Sequence, residues 1–182
     1  MAFVTNSDLL TYILANRFHY EDGQYLLQEK AETMGEDAIG SARSWLYGRF
    51  FQAGETEIYD AFIAVLYAGL VPASLTTLEG IRAAIQVITG DTALTSMYTM
   101  IFESLIRLSV AYIWKAAGMD GEAKSEEKLA QEFITAIVGA HANPGNVIGG
   151  EDGSQNDAAL GSTVVVYPIT DAEVTTLLNG YE

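Results

Sequence analysis

The feature that most constrains the fold is a continuous apolar stripe in the second half of the chain. Between about Ser96 and Ala117, large apolar side chains recur at the spacing of a helix that buries one face. Gly118 follows directly, which predicts the end of that helix. The stripe consists of Tyr98, Ile101, Phe102, Leu105, Leu108 and Tyr112.

The N-terminal segment carries a helix start signal of its own. Thr5 and Asp8 have the spacing of a capping box, and Val4 is placed to contact Leu9 across the helix start. Apolar residues then continue at helical spacing, so the sequence predicts a first helix of about twelve residues.

Further helices are predicted between and after these two segments. The second helix, over residues 24–50 with a break at Gly35, has one apolar face, and Arg43 and Arg49 lie off that face. Altogether the sequence predicts a mainly α fold, with a helical body of five to six helices. The apolar face of the second helix consists of Ile39, Ala42, Leu46 and Phe50. The other predicted helices are residues 55–70, residues 76–88 before Gly90, and a last helix that is capped by Ser125 and stops at Gly139.

The C-terminal part differs in character from this body. From Leu129 onward the chain contains no Lys or Arg, and a turn-rich stretch leads into the β-branched run STVVVYP. A second capping-box pattern, Thr170 with Glu173, then predicts a short helix. We therefore expect a helical body over residues 1–141 and, over residues 142–182, a linker and extended interaction arm with a short strand and a short helix. The strand could pair locally or add to a partner's sheet, and both alternatives stay open.

Composition and motifs argue against catalysis. The absence of cysteine excludes disulfides, thiolate metal sites and cysteine nucleophiles. The two histidines, His19 and His141, fall in or beside predicted turns, and no common catalytic or phosphate-binding motif occurs. We expect no enzyme activity, no cofactor and no metal site; an enzyme would require both histidines and several carboxylates to converge in space.

The charge restricts the partners. Twenty-four acidic residues against nine basic ones give a formal net charge of −15. This balance disfavours binding to nucleic-acid phosphates and to anionic membrane surfaces. No signal peptide is predicted. The uncharged run between Asp60 and Glu79 contains Pro72 and is interpreted as a buried helix and a loop, not a membrane span.

The stretch ARSWLYGRF, residues 42–50, places two of the few basic residues among aromatic ones. It could be an anion site, a membrane-surface anchor, or the end of a structural helix that other subunits contact. The arginines could pair with carboxylates of a neighbouring subunit or with helix-end carbonyls of the same chain. The interface candidates are Arg43, Trp45, Arg49 and Phe50 in this stretch and Val164, Val165, Val166 and Tyr167 in the predicted strand.

The order of the segments resembles that of the head–tail connector proteins of tailed bacteriophages, in particular the head completion adaptor of Mu-like prophages. The resemblance rests on FVTNSDL at the first helix start, on Trp45-Leu46-x-x-Arg49-Phe50, and on LSVAYIW followed by EEKLAQEFITAIVGAHANPG. The chain departs from that pattern in an insertion over residues 53–92, in the arm after Gly150, in Trp45 at a tyrosine position, and in Arg43 near a position where an acidic residue is common.

The resemblance implies a virion structural protein at the head–tail junction, assembled in the host cytoplasm. Such an adaptor forms a homo-oligomeric, dodecameric ring below the portal protein, prolongs the DNA channel and offers a docking surface to a tail protein or second neck protein. DNA would pass through without specific binding, and no membrane is involved. The alternative is another neck, capsid or tail component, or an unrelated acidic helical interaction scaffold.

Overall fold

A computed structural model describes residues 3–17 and 25–142, with the side chains of residues 3–17 and 29–139. These residues form six α-helices and contain no strand, so the prediction of a mainly α fold is confirmed for them. The predicted strand and short helix of the arm lie outside the described residues, as does His19. The helices are α1 (Asn6–Asn16), α2 (Tyr25–Ala53), α3 (Thr56–Ala64), α4 (Leu78–Thr89), α5 (Thr92–Ala116) and α6 (Asp120–Ala142).

Helix α5 is the centre of the fold and packs against α2, α4 and α6. Every side chain from residue 98 to residue 111 is buried, so the helix is enclosed on all sides and not only along the predicted stripe. It begins four residues earlier than predicted because Asp91 caps it, accepting a hydrogen bond from the Leu94 amide at 2.9 Å. Its end at Gly118, which has a φ of 78°, agrees with the prediction.

The predicted start of α1 is confirmed in detail. The Asp8 amide donates to the Thr5 hydroxyl at 3.3 Å, while the Thr5 amide donates to the Asp8 carboxylate at 2.8 Å. These reciprocal bonds satisfy two backbone donors that would otherwise have no partner at a helix N-terminus. Val4 and Leu9 are both buried in the common core.

The predicted break of the second helix at Gly35 is wrong, because α2 runs without interruption from Tyr25 to Ala53. A Cβ at this position would overlap the Leu10 side chain of α1. Gly35 is therefore the place where α1 and α2 approach each other closely, and the missing side chain serves packing instead of ending a helix. The predicted apolar face, from Ile39 to Phe50, is fully buried.

Residues 53–92 share the core of the body. Phe62, Leu66, Ile81 and Ile85 from this stretch belong to the same buried cluster as the side chains of α5. The predicted helix over residues 55–70 is α-helical only to Ala64; it widens into a π-helical turn, Val65–Gly69, and a 3₁₀ turn, Pro72–Ser74, precedes α4. Helix α4 is capped by Thr77 and ends at Gly90 as predicted.

The predicted limits of the last helix are wrong at both ends. Helix α6 starts at Asp120, and the Ser125 hydroxyl donates to the Gly121 carbonyl within the helix instead of capping it. Acidic residues in the new first turn favour this earlier start. The helix continues past Gly139, so His141 lies on helical backbone and not in a turn.

Candidate interaction surface

The C-terminal part of α2 presents large side chains to solvent on two adjacent ridges. Trp45 and Arg49 are one helical turn apart on one ridge, and Tyr47 and Phe51 are one turn apart on the other. Phe51 is 64% exposed and Tyr47 is 44% exposed. We call these four residues the α2-end surface.

The aromatic ridge of this surface is held in place by α3. The Tyr47 and Phe51 rings stack with their centroids 6.1 Å apart, and the Tyr59 ring meets Tyr47 edge-on at 5.5 Å. Tyr59 is itself fixed, since its hydroxyl donates to the Arg43 carbonyl at 3.2 Å. An exposed aromatic pair with this support is ordered before any partner arrives, which lowers the entropic cost of binding.

The second ridge carries the cation Arg49, which has no ionic partner among the described residues. The Arg49 guanidinium lies over the Trp45 ring, 5.5 Å from its centroid. Trp45 is half-buried and packs against the core. The Arg49 guanidinium is thus placed by an aromatic ring and not by a carboxylate of the described part of the chain.

Arg43 has a different role from Arg49. Its guanidinium is half-buried over the Tyr67 ring, 4.6 Å from the centroid, and the Tyr67 hydroxyl donates to the Asn6 side chain at 2.8 Å. These contacts join α2, the π-helical turn and the start of α1. The buried Arg43 Nε atom has no hydrogen-bond partner among the described residues.

The remaining sequence-predicted interface residues lie elsewhere. The Phe50 side chain is completely buried among the largest core residues, so it packs the interior and offers no atoms to a partner. The sequence pattern missed Phe51, its exposed neighbour. Residues Val164, Val165, Val166 and Tyr167 lie outside the described residues.

An open groove of ≈ 300 Å³ runs beside the α2-end surface, between the C-terminal ends of α2 and α6. We call it the α2–α6 groove. Arg49 belongs to both the surface and the groove. The groove is lined by Arg49, Gln52 and Ala53 of α2 and by Ile134, Thr135 and Val138 of α6.

A second group of charged residues lies inside the body and was not predicted from the sequence. Glu103 accepts a hydrogen bond from Arg17, the residue directly after α1, and lies 3.8 Å from the Arg107 Nε atom. Arg107 in turn donates to Glu126 of α6 at 2.8 Å. We call these four residues the interior ion cluster. Glu103 and Arg107 are the only charged residues between Asp91 and Lys115, and this isolation in an apolar helix is the signal that could have found them.

The interior ion cluster balances two positive and two negative charges where α1, α5 and α6 meet. Glu103 is 1% exposed, so its charge depends on the two arginines for compensation. The nearby Tyr12 hydroxyl is kept neutral: burial, and then the negative charge of Glu103, raise the pKa of Tyr12. These ion pairs hold the end of α1, α5 and α6 in place relative to one another.

Comparison with known proteins identifies no family for this chain. No protein-family model, no curated protein and no solved structure matches this chain. Within residues 3–17 and 25–142, no helix is long and apolar enough to cross a membrane, and no three histidine or acidic side chains are grouped to hold a metal ion.

Proposed function

We propose that this chain is a structural subunit that binds other protein subunits through the α2-end surface. The observation that carries the proposal is the exposed aromatic pair, Tyr47 and Phe51, held by Tyr59 and placed next to Arg49. Aromatic residues and arginine are enriched in protein–protein interfaces and contribute most of the binding energy where they become fully desolvated.

The charge of the chain supports a second copy as one of the partners. Arg49 is exposed and, among the described residues, has no carboxylate within ion-pair distance. A further copy of a chain with net charge −15 supplies carboxylates in excess. Pairing across a subunit boundary would orient the copies and would strengthen as the contact loses water.

The more specific proposal is a ring-forming head–tail adaptor of a tailed bacteriophage, docking below the portal protein and prolonging the DNA channel. It is supported by the order of sequence segments that resembles Mu-like prophage connectors and by the acidic composition. A channel wall of the same sign as DNA phosphates lets the genome slide without adhering. The alternative is another neck, capsid or tail component, or an unrelated acidic helical scaffold.

The test is electron microscopy of the purified full chain, alone and mixed with the portal protein encoded by the same genome. The adaptor proposal predicts rings that stack on portal particles with matching symmetry. Rings or other oligomers that do not bind the portal would support the alternative scaffold. A chain that remains monomeric under both conditions contradicts the proposal of subunit binding.

A matched pair of charge reversals sharpens this test. Arg49→Glu replaces the cation of the α2-end surface with a carboxylate and should abolish assembly through like-charge repulsion. Lys124→Glu makes the same change in charge at an exposed position on α6 and should leave assembly intact. Equal loss of assembly in both variants would mean that net charge, and not this surface, controls it.

A further inference from the structure

The α2–α6 groove lies close to the C-terminal end of α6, which is also the last described residue of the chain. Val138 lines the groove, and α6 ends only four residues later, at Ala142. Residues 143–182 therefore start beside this groove. Part of its lining is apolar, contributed by Ala53, Ile134 and Val138, and such a lining favours an occupant with small to medium apolar side chains.

One stretch of the C-terminal segment has the pattern to fill such a groove. Val174, Leu177 and Leu178 are spaced as the apolar face of a helix, directly after the capping-box pattern of Thr170 and Glu173. Helices commonly dock in grooves with anchors at this spacing. We call residues 170–178 the terminal helix segment, since the sequence predicts a helix there.

Charge complements shape at the same place. The C-terminal segment, residues 143–182, contains six acidic residues and no Lys or Arg. Two of the acidic residues, Asp171 and Glu173, lie in the first turn of the terminal helix segment. Arg49 in the groove lining has no carboxylate partner within the described part of the chain. A segment docked there would supply one.

The connection favours docking within one molecule. Residues 143–169 join α6 to the terminal helix segment, which is ample length to return to a groove beside α6. The entropic cost of closing a loop rises only slowly with its length. A tethered segment is present at an effective concentration of about millimolar, far above that of a second molecule in dilute solution.

We infer that the α2–α6 groove is the binding site for the chain's own terminal helix segment, with Val174, Leu177 and Leu178 against its apolar lining and the acidic first turn near Arg49. This inference does not depend on the identity of any partner.

The absence of cysteine makes a trapping experiment on the full chain unambiguous. The test pair is Gln52→Cys in the exposed groove rim with Asn179→Cys directly after the terminal helix segment. The control pair keeps Asn179→Cys and combines it with Val87→Cys, which is highly exposed on α4 and outside the groove. Both chains are oxidised at a concentration where size exclusion shows a monomer, and disulfide formation is followed over time.

The inference predicts an intramolecular disulfide that forms about tenfold faster in the test pair than in the control, because docking raises the local concentration beyond that of the tether alone. Adding Leu177→Asp should remove the difference, whereas Thr176→Asp, on the opposite side of the predicted helix, should preserve it. Equal rates in the two pairs overturn the inference. Disulfide-linked dimers as the main product also overturn it, by assigning the groove to a second copy, as does indifference to Leu177→Asp.

Discussion

The five arginines of this acidic chain include two groups with opposite surroundings. In the interior ion cluster, Arg17 and Arg107 are paired with Glu103 and Glu126. On the C-terminal half of α2, the guanidinium groups of Arg43 and Arg49 lie over aromatic rings, and Arg49 remains exposed. The first group uses its charge to hold the end of α1, α5 and α6 together. In the second group, the exposed charge of Arg49 is available for binding.

The two environments differ in what a lost side chain costs. A buried ion pair contributes little net stability when both partners are present, but removing one partner leaves an uncompensated charge inside the protein. An exposed arginine on an aromatic ring contributes only about 0.5–1 kcal/mol to folding. Mutations in the interior should therefore unfold the chain, while mutations on the α2-end surface should change binding and leave stability nearly intact.

The largest expected effect is that of Glu103→Ala. It leaves two arginines without their buried carboxylate and should lower the free energy of unfolding by about 3–5 kcal/mol in urea denaturation. The double variant Glu103→Met with Arg107→Met removes both buried charges and should be closer to the wild type than the single variant. A loss below about 1 kcal/mol for Glu103→Ala would mean that the cluster does not hold the three helices.

An effect of similar size is expected from replacing Phe50, which is buried, but not from replacing its exposed neighbour Phe51. Phe50→Ala empties a fully buried site and should cost about 3–5 kcal/mol of folding stability. Phe51→Ala, one residue later and mostly exposed, should change stability by no more than about 0.5 kcal/mol. Equal losses in thermal or urea unfolding would show that the aromatic ridge belongs to the core and would remove the main support for a binding surface.

The stability of the fold at alkaline pH tests the burial of Tyr12 beside the interior ion cluster. The pKa of Tyr12 is raised above its ordinary value of 10.0, chiefly by burial and then by Glu103. Above pH 10 the unfolded chain loses this proton while the folded chain keeps it, so stability falls as the pH rises. Tyr12→Phe should reduce that slope by up to about 1.4 kcal/mol per pH unit, measured by urea unfolding between pH 9 and 11. An unchanged slope would place the Tyr12 hydroxyl in contact with water.

The smallest effect compares two glycines within α2. Gly40→Ala meets no atoms near the new Cβ and should stabilise the helix by about 0.5–1 kcal/mol. At Gly35 the added Cβ overlaps the Leu10 side chain, so Gly35→Ala should lose that gain and destabilise by about 1 kcal/mol or more. If both substitutions stabilised the chain equally, α1 would not pack closely against α2 at this point.

Local signals in the sequence predicted much of the helical body. The capping box of Thr5 and Asp8, the stripe in α5 and the buried face of α2 each depend on residues a few positions apart, and each agrees with the structure. Gly35 was misinterpreted because its reason lies in Leu10, which is distant in sequence. The start of α6 was placed too late because Ser125 has a strong capping preference that the helix does not use.

The candidate site could be predicted only in part. The aromatic and arginine content of residues 42–50 marked the correct stretch, but one residue of register separates buried Phe50 from exposed Phe51. The contact of Tyr59 from α3 with Tyr47 depends on the packing of two helices and could not be predicted from local spacing. The Glu103 and Arg107 pair is visible in the sequence, whereas its partners Arg17 and Glu126 come from other helices and required the fold.

Binding of another subunit by the α2-end surface can be measured directly as the mass of the assemblies that three full-length proteins form in native mass spectrometry. These are the wild type, Phe51→Asp and Val87→Asp, the last being a control at an exposed apolar position on α4. We expect oligomers for the wild type and Val87→Asp and monomers for Phe51→Asp. Melting temperatures should be equal for all three at a dilution where each is monomeric, because assembly itself raises the melting temperature. Oligomers that persist unchanged in Phe51→Asp would contradict this expectation.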